Sequence, residues 1–189
     1  VVRGEVGDFQ TFRFFPHKTD SEGLFVAVAR KAEPTTQCTP KARKRVMQEV
    51  DKNSRKELMR YLQQPDNYTF AMVADTIYAY RTEQFKAVQA LSEGLTAICS
   101  GVAMGQVFKG KLKPDGALAL YAGINTQAVA SCEVDEDTAL KFLRKQDVSV
   151  ENFAEGINLV LHNGQALGFV KRIGARVNNM YPNSLRILK

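Results

Sequence analysis

The chain has 189 residues and a net charge of +6, with 44% apolar and 24% charged residues. This length suits one ordinary domain or two small ones, and the composition excludes a wholly disordered, collagen-like or coiled-coil chain. The sequence has no run of about 18 apolar residues and no secretory signal, so we expect no membrane span. It opens on Val1 and not on Met, which predicts a piece of a longer or processed protein.

The N-terminal segment predicts two paired strands, at residues 9–15 and 24–30. Residues 24–30 are nearly all apolar, which is typical of a strand covered on both faces. Two strands alone are marginally stable in water, so we expect them to belong to a sheet that is mostly missing from this chain. Residues 32–40 contain two prolines and predict a linker.

The middle of the chain predicts a small α+β domain. Its basic stretch at 41–60 predicts a solvated helix face or, alternatively, a surface that faces RNA. A helix is expected from about residue 54, since Ser54 and Glu57 stand at capping-box spacing. The further expected elements are a hairpin turning near Asp75, a helix over 82–92 with Thr82 as a possible cap, and strands at 96–108 and 117–121 around a turn at 113–116.

The last part of the chain predicts a smaller, strand-rich domain. A helix over 135–145 is acidic at its start and basic at its end, as the helix dipole favours. Alternating apolar residues on both sides of Asn163-Gly164 predict a type I′ hairpin. A final strand is expected at 185–188, and the sum of these elements predicts a mixed α+β fold.

The three cysteines and two histidines are poorly placed for a metal site or a disulfide framework. Cys38, Cys99 and Cys132 form no Cys-x-x-Cys pair, which favours a reducing cytoplasm and no metal. Cys99 ends the apolar stretch Ala97-Ile98-Cys99, so we expect it to be buried in a strand. No catalytic cysteine is assigned, because a nucleophile needs exposure and a nearby cation.

A glycine-rich, basic segment between Gly164 and Pro182 is the strongest candidate for a binding site. No acidic residue follows Glu155, whereas an ordinary solvated face mixes both signs. Cations can pair with phosphates, asparagines can reach ribose or base edges, and tyrosine can stack on a base. The residues expected to contact RNA are Lys171, Arg172, Arg176, Asn178, Asn179 and Tyr181. The alternative is that Gly174 forms a turn, Tyr181 packs in the core and the cations are a solvated face.

Two segments together resemble one family. Arg13-Phe14-Phe15-Pro16-His17-Lys18, followed by Glu22-Gly23-Leu24-Phe25, resembles the hairpin that closes the methyltransferase domain of Sun-type (Nol–Nop–Sun) RNA cytosine-5 methyltransferases. The segment from Gly164 to Arg186 is similar to the PUA-like RNA-binding domain of the bacterial ribosomal RNA branch. The middle of the chain resembles the connector between these two domains.

The resemblance implies four segments: a remnant hairpin of a methyltransferase sheet (1–31), a linker (32–40), a connector domain (41–130) and a PUA-like domain (131–189). It implies a parent enzyme that methylates ribosomal RNA with S-adenosylmethionine, in which this region binds and positions the RNA. His17 and Lys18 are expected at the edge of the active site of the intact enzyme.

The family's cysteine motifs and its glycine-rich cofactor loop are absent from these residues. We therefore expect no catalytic residue and no cofactor in this chain, which alone is predicted to be inactive. One alternative is a free-standing PUA-type RNA-binding or ribosome-assembly module. Another is a protein–protein adaptor that binds through acidic residues 133–137. We also expect the exposed edges of the N-terminal hairpin to pair with a second copy of the chain.

Overall fold

The computed structural model describes residues 1–7, 9–18, 22–29 and 46–188. These residues form three β-sheets and four α-helices, which confirms the predicted α+β class. The chain divides into two compact units, Val1–Thr39 and Pro40–Lys189. The predicted linker, Cys38 and the basic residues 41–45 lie outside the described residues.

The N-terminal unit contains a three-stranded antiparallel sheet. Its strands lie in the order β1 (Val2–Val6), β2 (Phe9–Phe14) and β3 (Leu24–Val28). The predicted hairpin is confirmed as β2 and β3, and β1 is a further strand that the sequence analysis missed. Strand β3 is exposed along most of its length in this chain, and its membership of a larger sheet stays a prediction.

A five-stranded antiparallel sheet begins the second unit. Its strands lie in chain order: β4 (Gln48–Glu49), β5 (Tyr68–Val73), β6 (Thr76–Arg81), β7 (Val102–Phe108) and β8 (Lys111–Pro114). The turn near Asp75 is confirmed between β5 and β6. The turn predicted at 113–116 is wrong, because β7 turns into β8 at Lys109 and Gly110, which have φ of +49° and +75°.

Helix α1 (Lys52–Met59) follows β4 and begins before the predicted position. Its N-cap is Asp51, because the Asp51 carboxylate accepts hydrogen bonds from the N–H groups of Asn53 and Ser54, both at 3.0 Å. The capping box proposed for Ser54 and Glu57 is therefore wrong. Hydrogen bonds from the Ser54 side chain and backbone lower the pKa of the Asp51 carboxyl.

Two more helices pack beside this sheet. Helix α2 (Thr82–Gly94) confirms the helix predicted over 82–92, although Thr82 is its first residue and not its cap. Helix α3 (Gly116–Ala119) replaces the strand predicted at 117–121. The cause is Asp115, whose carboxylate accepts a hydrogen bond from the Ala117 N–H at 2.9 Å and so starts a helix.

A four-stranded sheet ends the chain. Its order is β12 (Arg176–Asn179), β11 (Gln165–Ile173), β10 (Gly156–His162) and β9 (Ala130–Glu133), with β9 parallel to β10 and the other pairs antiparallel. The predicted Asn163-Gly164 hairpin is confirmed, since φ is +50° and +72° at these two residues. Type I′ turns require positive φ at both central positions.

Helix α4 (Glu136–Leu143) confirms the helix predicted over 135–145 in a shorter form. The strand predicted at 185–188 is wrong. Residues Asn183–Leu185 form a 3₁₀ helix, and the Ile187 N–H donates to the Leu143 carbonyl at 3.2 Å. The end of the described chain therefore bonds to the C-terminus of α4 rather than to a sheet.

Both faces of the four-stranded sheet are buried. On one face, Leu159 and Phe169 pack with buried side chains of α1, β7 and α3. On the other face, Val160 and Val170 pack against Phe142 of α4. The segments predicted as a connector and a PUA-like domain therefore contribute to one core within one compact unit. No helix in the described residues is long and apolar enough to cross a membrane.

Asn158 is a fully buried polar side chain, only 1% exposed, on β10. Its Oδ1 accepts a hydrogen bond from the Ala154 N–H at 2.9 Å, and its Nδ2 donates to the carbonyls of Ala154 and Gly156 at 2.8 and 3.0 Å. These bonds fix the turn that leads into β10.

We expect Asn158→Ala to lower the free energy of unfolding by about 1–3 kcal/mol, because the backbone groups of Ala154 and Gly156 would lose the three hydrogen bonds of the buried amide. Urea unfolding of the two proteins measures the difference. Asn178→Ala is the matched control, since Asn178 is exposed and its loss should change the free energy by about 0.5 kcal/mol or less. Equal losses in the two variants would contradict the assignment.

Candidate nucleic-acid interface

The predicted RNA-binding residues lie on β11, on β12 and in the loop that follows. The register pairs Lys171 with Asn178, and Ile173 with Arg176. Paired residues share a face of the sheet, and so do residues two apart on one strand. Lys171, Arg176 and Asn178 therefore lie on the same face, and all three are exposed. We call these three residues the exposed row.

Arg172 lies on the opposite face, where the register sets it beside Val177. Its Nη1 donates to the Phe153 carbonyl at 2.5 Å, and its Nε donates to the Gly174 carbonyl at 3.0 Å. The same Nε lies 4.0 Å from a carboxylate oxygen of Glu155. The guanidinium therefore ties the β11–β12 turn to the segment before β10, and these contacts compete with any phosphate.

Asn179 and Tyr181 hold the chain against α4. The Asn179 Nδ2 donates to the Phe142 carbonyl at 2.7 Å, and its Oδ1 accepts from the Tyr181 N–H at 2.9 Å. The half-buried Tyr181 ring meets the Phe142 ring edge-on, with 5.4 Å between centroids. The Lys145 ammonium donates to the Tyr181 carbonyl at 2.7 Å. This packing matches the alternative that was left open for Tyr181, and it occupies both polar atoms of the Asn179 amide.

Two carboxylates accept hydrogen bonds at the hairpin turns, a role that the sequence analysis did not predict. The Glu155 carboxylate accepts from the Gly174 N–H at 3.1 and 3.3 Å. The Glu133 carboxylate accepts from the Gly164 N–H at 3.3 and 3.4 Å. The segment after Glu155 is free of acids in sequence but not in space, because Glu155 lies at the turn beside the exposed row. The sequence gives no signal for these bonds, because the two carboxylates lie 31 and 19 residues before the glycines that they accept from.

His17 and Lys18 lie in the turn after β2, in the N-terminal unit, and both are exposed. The His17 ring lies 5.5 Å from the Phe15 ring between centroids, and the Lys18 N–H donates to the Phe15 carbonyl at 2.9 Å. Their place at the edge of an active site stays a prediction about the intact enzyme.

The prediction that Cys99 is buried in a strand is wrong. Cys99 is exposed in a bend before β7, beside Ile98, which is 99% exposed. Strand β7 begins only after Gly101, whose φ is +69°. Pairing with β6 begins at Val102, which lies opposite Ala79. A Cβ at Gly101 would lie 2.8 Å from the Ala79 carbonyl oxygen, so the close approach to β6 at this position requires glycine. The apolar stretch before it stays outside the sheet.

Cys132 is half-buried on β9, and its thiol donates to the Glu133 carbonyl at 3.6 Å. Burial and the nearby charge of Glu133 raise the pKa of the Cys132 thiol. A raised pKa favours the thiol over the nucleophilic thiolate. Within the described ranges, no three His, Cys, Asp or Glu side chains cluster in a way that could hold a metal ion.

Residues 129–187 match the family model described as the methyltransferase RsmF PUA domain. The match supports a PUA domain of a Sun-family methyltransferase in this part of the chain. It covers the four-stranded sheet, α4 and the following 3₁₀ helix, and it includes all six predicted RNA-binding residues. The matched range does not include the five-stranded sheet or the N-terminal unit. No curated protein matches the chain.

We expect Arg172→Ala to lower the free energy of unfolding by about 1–2 kcal/mol, because the carbonyls of Phe153 and Gly174 would lose a charged donor. The matched control is Arg176→Ala, which removes an exposed guanidinium from the same hairpin and should change the free energy by about 0.5 kcal/mol or less. Urea unfolding of both variants gives the comparison. An unchanged stability of Arg172→Ala would show that its hydrogen bonds do not hold the turn.

Proposed function

We propose that this chain binds RNA through the exposed row and positions it for methylation by a catalytic domain of the same protein. The observation that carries the proposal is the exposure of Lys171, Arg176 and Asn178 on one sheet face, inside the range that matches the PUA domain of a methyltransferase. The substrate we propose is a cytosine of ribosomal RNA, and the intact protein would act in the cytoplasm.

The chemistry of the exposed row suits a nucleic-acid backbone. The planar guanidinium of Arg176 can make two parallel hydrogen bonds to one phosphate, and the Lys171 ammonium acts as a point charge. The Asn178 amide lies across from Lys171 in register and offers both donors and an acceptor for ribose or a base edge. Arg172 and Asn179 act in this proposal as positioning residues, because their side chains hold β11 and β12 in place.

The catalytic part of the proposal rests on the resemblance of the N-terminal unit to the closing hairpin of a methyltransferase sheet. Large apolar side chains are exposed on this unit: Val2, Val6, Phe9, Leu24, Phe25 and Val28. Such exposure is expected of strands that belong to a larger sheet. In the intact enzyme that sheet would bind S-adenosylmethionine, with His17 and Lys18 at the edge of the active site.

Titration of single-stranded RNA against salt tests the exposed row. Each phosphate contact contributes about 0.7 to the slope of log affinity against log salt. We therefore expect the double variant Lys171→Ala with Arg176→Ala to bind more weakly and to lower the slope by about 1.4. Fluorescence anisotropy with a labelled oligonucleotide gives both quantities.

Lys141→Ala is the control for the loss of charge, because Lys141 is exposed on α4, which covers the opposite face of the sheet. Its slope should stay within the error of the unchanged chain. A folded double variant with the affinity and slope of the unchanged chain would contradict the assignment of the exposed row. Calorimetric titration of S-adenosylmethionine should show no binding to this chain.

We also propose that copies of this chain associate through the free edges of the N-terminal sheet, β1 and β3. Unpaired N–H and C=O groups at a sheet edge are a template for another strand, and exposed apolar side chains lie beside them. We expect the mass measured by light scattering to rise with concentration. A monomer at all concentrations would contradict this association.

A further inference from the structure

The hairpin of β7 and β8 presents one face to the core and the other to solvent. Val107 and the buried Leu112 face the core formed with the four-stranded sheet. The residues that alternate with them lie on the opposite face and are exposed: Gln106, Phe108, Lys111 and Lys113. The register sets Phe108 across from Lys111, and Gln106 across from Lys113. Helix α2 packs on β5 and β6 and leaves this face uncovered.

Phe108 is the unusual member of this face, because a large aromatic side chain is 72% exposed there. The Lys109 ammonium, at the tip of the hairpin, lies 5.6 Å from the centre of its ring. A lysine at this distance is attracted by the face of the ring. The hairpin thus places an open aromatic ring among three cationic side chains.

The hairpin itself carries no acidic residue, since none lies between Glu93 and Asp115. Two acidic side chains near it, Asp115 and Glu57, have hydrogen-bond partners of their own. The Asp115 carboxylate caps α3. The Glu57 carboxylate bonds the Leu112 N–H at 3.3 Å and the Arg60 guanidinium at 3.0 Å, and Leu112 faces the core.

We propose that this face binds an unpaired segment of RNA, with a base stacked on Phe108 and phosphates bound by Lys111 and Lys113. An aromatic ring on a sheet surface can stack only on a base that is free of a duplex, because paired bases are already stacked on their neighbours. Adjacent cations then hold the backbone on either side of that base. The Gln106 amide lies across from Lys113 and can bond a base edge.

This inference rests on the proposed function for its ligand, but it uses residues outside the range that matches the PUA domain. It extends the RNA surface to the five-stranded sheet. The two surfaces belong to one compact unit, so a single RNA chain that contacts both would be bound more tightly than by either alone.

Anisotropy of a labelled single-stranded RNA of about twelve nucleotides tests this face. We expect Phe108→Ala to weaken binding about 5- to 150-fold and to leave the salt slope unchanged, because stacking releases no counterions. Phe108→Tyr should retain most of the affinity, since tyrosine also stacks. Lys111→Ala with Lys113→Ala should lower the slope by about 1.4. Lys141→Ala should change neither the affinity nor the slope.

The outcomes separate this inference from the proposed function. If Phe108→Ala binds as tightly as the unchanged chain while loss of Lys171 and Arg176 weakens binding, this inference is wrong and the exposed row stands. If Phe108→Ala weakens RNA binding and the double variant of Lys171 and Arg176 binds normally, this inference stands and the assignment of the exposed row is wrong. Absence of RNA binding by the unchanged chain would overturn both. Circular dichroism checks that each variant is folded. We expect Phe108→Ala to fold normally, because the Phe108 side chain is exposed.

Discussion

The burial of the four-stranded sheet on both faces is the constraint on which the rest of the second unit depends. Phe169 packs toward the five-stranded sheet and Val170 toward α4, so neither face of the centre of the four-stranded sheet can meet a ligand. On β11 and β12, the side chains of Lys171, Arg176 and Asn178 lie beyond these two layers and remain exposed. The same packing uses the inner face of β7 and β8 and leaves their outer face open. Both proposed RNA surfaces are thus what remains after one core has formed.

Parts of this fold could be predicted because the signal is local. Positive φ at Asn163 and Gly164 is a property of two adjacent residues. The acidic residues at the start of α4 are likewise stabilised by the N-terminus of that same helix. The predictions are wrong where the local structure depends on a contact with a residue far away in the sequence. The chain after Pro182 bonds to the Leu143 carbonyl, and the stretch around Cys99 lies before β7, which begins once Gly101 has come close to Ala79. Neither partner is visible from the neighbouring sequence.

The candidate site shows the same division. Side chains alternate between the two faces of a strand, so Lys171 and Arg172 must lie on opposite faces once β11 is known to be a strand. The sequence could therefore have shown that only one of these two cations belongs to the exposed row. The contacts of Arg172 with Phe153, and of Asn179 with Phe142, join residues far apart in the chain. Counting charges along the sequence also did not predict that the Glu155 carboxylate accepts a hydrogen bond at the Gly174 turn. The aromatic ring of Phe108 was overlooked for a related reason, since its exposure follows from which helix covers which strands.

The four-stranded and five-stranded sheets share one core, so the segment that matches the family model is smaller than the segment that folds together. The family match begins at residue 129, yet Leu159 and Phe169 inside it are buried together with side chains of α1, β7 and α3 outside it. A peptide cut at the family boundary would place these two side chains in water. The segment that matches the family model therefore needs α1, β7 and α3 to exclude water from its core. We expect the two parts to unfold in one cooperative transition.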